Sequence, residues 1–237
     1  MNRKVEEYKG KHIYLYVLAI VCALGFGVLM YNVMVNGQLP FDQPILDKFY
    51  GLRVPAVSII VELVTYLGNW EAIVVIGVLL FAFEQYRKDF GIPVLALAAA
   101  TSVLNKVIKV IVARPRPEAS MMLIDQGGYS FASGHSVTSI AVYGLLVFLL
   151  IKHKPNHYKP LAVLCGVLAI IIGISRVYVG VHFPSDVIAG WCEGLALLAI
   201  GLVLLDKFQM PNLTFEKGAL SEEEARRLYG DNDNLNN

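Results

Sequence analysis

The sequence predicts an all-α polytopic membrane protein: six transmembrane helices, a short interfacial helix, and a polar site at the extracytoplasmic face. Three observations predict it. Only 16% of the 237 residues are charged and 56% are hydrophobic, against about 25% charged in a soluble domain. Apolar runs near or above ~18 residues recur, each long enough to cross a hydrocarbon core of roughly 30 Å. The polar residues gather in three clusters beside those runs: Lys109 to Arg116-Pro117, Ser133-Gly134-His135-Ser136, and Ser175 to Asp186.

Each element has a local reason. Residues 1–12 are polar and basic, and a first span follows from about Ile13 to Val35, without a short core and small-residue cleavage site. Asn36-Gly37-Gln38-Leu39-Pro40 breaks it, and residues 41–53 are mixed in character. Residues 55–67 are apolar but short and stop at Gly68-Asn69, so they are expected at the interface or re-entrant. A second span is expected from about Trp70 to Tyr86, with Arg87-Lys88-Asp89 as a tight polar turn, and a third from about Gly91 to Val112. A polar loop, 113–133, carries Arg-Pro-Arg-Pro and Gly127-Gly128. Further spans run from about Gly134 to Ile151, Leu161 to Val177 and Pro184 to Leu205. The chain therefore divides into a membrane-embedded part, 1–206, and a polar tail, 207–237, where Ser221 and Glu224 have capping-box spacing and the Asn/Asp-rich end reads as disordered.

Charge sets the expected orientation. The N-terminal segment, the 87–88 turn, the 152–159 turn and Lys207 carry ten of the twenty lysines and arginines, and in a six-span arrangement all lie on one side. Basic short loops stay cytoplasmic, which puts both termini inside and the three polar clusters outside, in the cell membrane. A net charge of +1 excludes the strongly basic face that nucleic acid requires. Cys22, Cys165 and Cys192 fall inside apolar runs, without metal-ligand spacing or a disulfide framework, and are expected as small buried hydrophobes. His12, His153 and His157 fall in cytoplasmic segments and are expected to be solvated.

The clusters share one chemistry. Asn105 and Lys109 are four apart and share a helix face; charge inside a span costs at least ~2.5–3.5 kcal/mol and marks function. Arg116 offers a planar fork suited to phosphate oxygens, and flanking prolines hold its loop extended. Ser133-Gly134 stands where a helix begins, with free N–H groups and a positive dipole end for an anion. His182 and Asp186 are four apart across the start of a helix that Pro184 opens. A carboxylate on one imidazole nitrogen leaves the other free to attack. The same pair could hold a metal, but hard-metal sites collect carboxylates, and these surroundings collect Lys109, Arg116 and Arg176, so no metal and no cofactor is expected. Two histidines and several cations on one face point to phosphoryl transfer.

These motifs, Lys-x6-Arg-Pro at Lys109 and Arg116-Pro117, Ser-Gly-His at 133–135 and Ser-Arg-x5-His-x3-Asp from Ser175 to Asp186, resemble the type 2 phosphatidic acid phosphatase superfamily in its bacterial integral-membrane branch. The branch includes phosphatidylglycerophosphate phosphatase B and undecaprenyl-diphosphate phosphatases. The resemblance covers about 70 to 205. It implies that His182 is the nucleophile, Asp186 orients it, and His135 protonates the leaving oxygen. Lys109, Arg116, Arg176, Ser133 and the Gly134 backbone would hold the phosphate. The partner is then a lipid phosphate within the bilayer, with no obligate protein partner evident. Undecaprenyl diphosphate ranks first as substrate for an outward-facing site, phosphatidylglycerophosphate close behind, and phosphatidate and diacylglycerol diphosphate after them. One departure is Ala132, where the family usually has proline, which bears on loop stiffness. The high hydropathy argues against the soluble haloperoxidases that share the motifs. A carrier with a charged lining is the competing class, but Glu62, Glu71, Glu84 and Glu193 are too few acids to line a pore; Glu193 is expected as an interhelical hydrogen-bonded carboxyl.

Overall fold

The structure is a computed structural model that describes residues 2–209, with side chains described over 12–207. The expected capping box at Ser221 and the Asn/Asp-rich end lie outside the described residues. The chain separates into a unit of Met1–Leu202, which holds the site described below, and a second unit of Val203–Asn237.

Apolar composition becomes helix here because lipid offers no partner for backbone polar groups, so each span satisfies its own. Eight helices organise the described residues: α1 (Asn2–Asn36), α2 (Asp42–Gly51), α3 (Pro55–Tyr66), α4 (Trp70–Ala82), α5 (Glu84–Val112), α6 (Gly134–His153), α7 (Tyr158–Tyr178) and α8 (Pro184–Gln209). Five stretches, His12–Asn36, Glu84–Val112, Gly134–His153, Tyr158–Tyr178 and Pro184–Lys207, are long and apolar enough to cross a membrane; α3 and α4, bent by 51° at their junction, pass the same test together. The protein is a multi-pass membrane protein. Its outward faces carry large apolar side chains such as Leu24, Val110 and Val163, each about two-thirds exposed or more, where lipid tails replace water.

Three expectations are corrected. The reversal between α4 and α5 falls at Phe83, whose backbone is extended (φ −81°, ψ 115°), and not at Arg87-Lys88-Asp89, which forms a π-helical turn inside α5. A charged run reads as a loop from sequence, but polar groups are also at home in the first turns of a span, where they still reach water. Gly91 permits the tight reversal: a Cβ there would sit 2.6 Å from the Phe81 Cα. Residues 42–51, expected only as a mixed segment, form α2, which buries Leu46 (1% exposed) against Val177, Phe183 and Val187; full burial of one leucine contributes about 1.5–3 kcal/mol. His12, expected to be solvated, is 6% exposed, because α1 extends past the apolar run and carries it onto a covered face.

Two turns bring the polar clusters together. The loop after α5 leaves through Ala113 in the left-handed region (φ 49°) and returns at Ser130, whose N–H donates to the Arg114 carbonyl at 2.8 Å. The turn between α7 and α8 pivots on Gly180 (φ +77°), where a Cβ would stand 1.9 Å from the Met121 carbonyl oxygen. Leu123 N–H donates to Val179 O at 2.9 Å and Arg53 donates to both Met121 O and Tyr178 O. Loop and turn are thus laced edge to edge, and Ser58 Oγ, in the first turn of α3, lies 3.1 Å from the Tyr178 hydroxyl.

Candidate active site

His182 follows Gly180 in the α7–α8 turn and is 2% exposed. Its Nε2 lies 3.2 Å from Nη1 of Arg116. A guanidinium only donates, so Nε2 is the lone-pair nitrogen and the ring proton sits on Nδ1. That proton faces Ser130 Oγ at 3.3 Å and Asp186 Oδ2 at 3.5 Å. Ser130 Oγ in turn donates to Asp186 Oδ2 in a short bond. Burial, and the positive fields of Lys109, Arg116 and Arg176, push the His182 pKa well below the usual imidazole value of 6.5, so the ring is neutral at neutral pH.

Asp186 is fully buried and its oxygens are saturated. Oδ2 also accepts from Phe183 N–H at 2.9 Å, which is possible because the carboxylate stands in the first turn of α8 beside unpaired N–H groups. Oδ1 is 2.5 Å from Nη1 of Arg114. The other arm of Arg114 meets Asp42 Oδ2 at 2.7 Å, and Asp42 also accepts from Ser185 N–H and Oγ. Arg114, Asp42, Ser185 and Asp186 form a buried ionic cluster in which one guanidinium serves two carboxylates.

The remaining cations converge on the same place. Lys109 Nζ donates to the carbonyls of Tyr129 (2.8 Å) and Ser130 (3.0 Å). Arg116 donates through Nε to Gly127 O and Gly128 O and through Nη1 to Val181 O. Arg176, 1% exposed, donates to Thr65 Oγ1 (2.8 Å) and Gln126 Oε1 (2.9 Å). These bonds hold the 113–133 loop over the three cations while leaving further guanidinium and ammonium hydrogens for a ligand.

Ser133 is the residue before α6. Its hydroxyl makes no capping bond and instead accepts from Ser136 Oγ at 3.0 Å; its N–H donates to Asp186 O at 3.0 Å, which ties this cluster to the His182 turn. Ala132, in the place where proline was expected, is fully buried with Phe131, and its carbonyl accepts from Asn105 Nδ2 at 3.2 Å. Packing and that bond restrain the loop in place of the ring. Gly134 faces Asn105 Oδ1, which would stand 3.0 Å from a Cβ there. Asn105 Nδ2 also donates to Glu193 Oε2 at 3.2 Å, so Glu193 is the interhelical carboxyl expected of it. His135 Nε2 lies 2.6 Å from Asn69 Oδ1, and the ring is in electrostatic reach of Arg176, His182, Arg116 and Lys109.

All eight residues singled out from the sequence therefore meet. Four participants were not singled out: Arg114, Asp42, Ser130 and Asn69. For Arg114 a signal existed in the first arginine of Arg-Pro-Arg-Pro.

Comparison with known proteins identifies the family. The PAP2 superfamily pattern matches residues 90–210. The chain is 35% identical over 182 residues to phosphatidylglycerophosphatase B of Bacillus subtilis, covering 73% of this chain and 88% of that protein. It is 35% identical over 121 residues to an undecaprenyl-diphosphatase of Sulfolobus acidocaldarius, covering 49% and 55%. The crystal structure of the transmembrane PAP2-type phosphatidylglycerolphosphate phosphatase from Bacillus subtilis superposes with a TM-score of 0.71 at 30% identity, over 81% of this chain and 98% of that one.

Proposed function

This chain belongs to the PAP2 superfamily and is a membrane lipid phosphatase, and on that premise we propose that it releases phosphate from lipid phosphates by way of a phosphohistidine at His182 Nε2, without a metal ion. The observation that carries the reading is the pairing of that nitrogen with Arg116 at 3.2 Å. The lone pair points at a cation suited to phosphate oxygens, and its ring is held from behind by Ser130 and Asp186.

In the first step Nε2 attacks phosphorus, the bond to the leaving oxygen breaks, and His135 gives that oxygen a proton. In the second step water attacks the phosphohistidine, His135 takes a proton from the water, and His182 is regenerated with phosphate released. Asp186 keeps the proton on Nδ1 and stabilises the charge the ring acquires. Lys109, Arg116 and Arg176, with Ser133 and the Gly134 N–H, carry the phosphate oxygens, whose charge spreads over the equatorial positions in the transition state. The carboxylates nearest His182 are committed to Arg114, which leaves a cationic cradle where a dication would be repelled.

The substrates we propose are phosphatidylglycerophosphate, the class that the name of the Bacillus relative carries, and undecaprenyl diphosphate, carried by the second. Undecaprenyl diphosphate ranks first on orientation: a six-span arrangement puts the basic segments opposite the site, which supports a site facing the outer leaflet of the cell membrane with both termini inside. The test is the purified protein in detergent with both lipids under one condition. Phosphate release should persist in excess EDTA, vanadate should inhibit, and His182→Ala should be inactive while still folded. Rescue by Mg²⁺ after EDTA, or substantial turnover by His182→Ala, would overturn the mechanism. A kcat/KM at least tenfold higher for phosphatidylglycerophosphate, about 1.4 kcal/mol, would reverse the ranking alone.

A further inference from the structure

The α3–α4 junction carries none of the three motifs, yet it touches the site twice. Thr65, at the end of α3, is 1% exposed and accepts from Arg176. Asn69 immediately precedes α4, and its Oδ1 is 2.6 Å from His135 Nε2. An amide oxygen only accepts, so His135 Nε2 carries a proton here, and its other ring nitrogen, Nδ1, is the one left to exchange a proton with a ligand. The junction is itself rigidly placed. Gly68 packs so closely that a Cβ would stand 2.4 Å from Ile172 Cγ2 and 3.0 Å from His135 Cδ2. Tyr143, in the π-helical turn of α6, donates its hydroxyl to Leu67 O at 2.9 Å. A side chain in a fixed turn thus grips one edge of the imidazole, while a glycine lets the ring lie flat against the same turn.

We propose that Asn69 is a positioning residue for proton transfer by His135: it anchors the Nε2–H and fixes the ring so that Nδ1 delivers the proton to the leaving oxygen and later takes one from water. This rests on the reading of His135 as the acid in the proposed reaction. The proton passes from Nδ1 of the doubly protonated ring to the leaving oxygen as the phosphorus–oxygen bond breaks, which leaves the ring neutral, and the proton on Nε2 stays on that nitrogen, donated to Asn69 Oδ1, throughout. Asn69 touches no reacting atom.

The experiment compares two phosphates with the same acyl chain, one with an alkoxide leaving group and one with an aryloxide, which departs without help from an acid. With the alkoxide, Asn69→Ala should lower kcat by about 10- to 100-fold, the range expected when a catalytic group is misplaced; with the aryl phosphate the loss should be under about threefold, since the acid is not needed there. Asn69→Asp keeps an acceptor and should restore the alkoxide-to-aryloxide ratio toward wild type even if KM rises. Thermal unfolding and gel filtration in detergent report whether each variant is folded, and Asn69→Asp serves if Asn69→Ala is not. Equal losses on both substrates, with a folded variant, overturn the proposal. His135→Ala is the reference. If it too lacks leaving-group dependence, the assignment of His135 as acid fails; if it shows the dependence and the Asn69 variants do not, the positioning role alone fails.

Discussion

At the scale of single residues, the proposed chemistry depends on which nitrogen of His182 holds the proton. Arg116 offers only donors at 3.2 Å from Nε2, which favours the Nδ1–H tautomer, and burial with the fields of Lys109, Arg116 and Arg176 pushes the ring's pKa well below 6.5. The sign of the pH dependence follows. The lowered pKa means that His182 stays unprotonated, and therefore able to attack, as pH falls through 6.5. The acid limb of kcat/KM due to the free enzyme should lie below pH 6.5, after correction for the second ionisation of the free lipid phosphate measured by phosphorus NMR. A limb centred at or above 6.5 would contradict a neutral buried nucleophile. His182, Asp186, His135, Lys109, Arg116 and Arg176 were legible in sequence because each lies in a short motif with fixed spacing. Ser130, Asp42 and Asn69 were not, because their partners are 56, 143 and 66 residues away along the chain. No local pattern records a contact made only by tertiary packing.

At the scale of elements, Arg114 joins three of them: the loop after α5 that carries it, α2 through Asp42, and α8 through Asp186. All of these groups are at most 3% exposed. A buried ion pair is weak evidence for net stability, but removing one partner strands a charge and costs about 3–5 kcal/mol. Here two carboxylates, Asp42 and Asp186, would be stranded together. Arg114→Met should therefore lower the thermal unfolding temperature sharply in detergent, and the double variant Arg114→Met with Asp42→Asn should recover part of the loss. The double-mutant cycle isolates that coupling; strictly additive effects would show that Arg114 does not bind the two carboxylates as one unit. The helices were legible where hydrophobic run length exceeded a span. The α4–α5 reversal was misplaced by four residues, because the charged run at 87–89 is the most polar stretch nearby while Phe83, where the chain turns, is apolar. The close approach of Gly91 to the Phe81 backbone has no signature in composition.

At the scale of the whole molecule, orientation decides which leaflet supplies the substrate. Contacts constrain it by parity. Asp42, after α1, meets Arg114, after α5, and Ser185, at the start of α8, so these three places share one end of the molecule. Arg53, just before α3, reaches Tyr178 and Met121 at that same end. The stretch 55–112 therefore leaves this end and returns to it, with α5 as the return and the bent α3–α4 pair as the outward passage. Counting that pair once gives up to six passages by length and composition, and in that arrangement the basic segments at 87–88 and 152–159 lie at the opposite end from His182. With positive charge retained inside, we propose that the site end is outside. The prediction is a labelling pattern. The native cysteines, Cys22, Cys165 and Cys192, all stand within spans and can be replaced to give a silent background. In that background Glu118→Cys, exposed in the site-end loop, should react with an impermeant thiol reagent on intact cells, while Lys88→Cys and Lys154→Cys should react only after permeabilisation. The reverse pattern would place the site on the cytoplasmic side, where an outer-leaflet diphosphate could not reach it, and would remove the orientation argument for undecaprenyl diphosphate while leaving the chemistry at His182 as it stands.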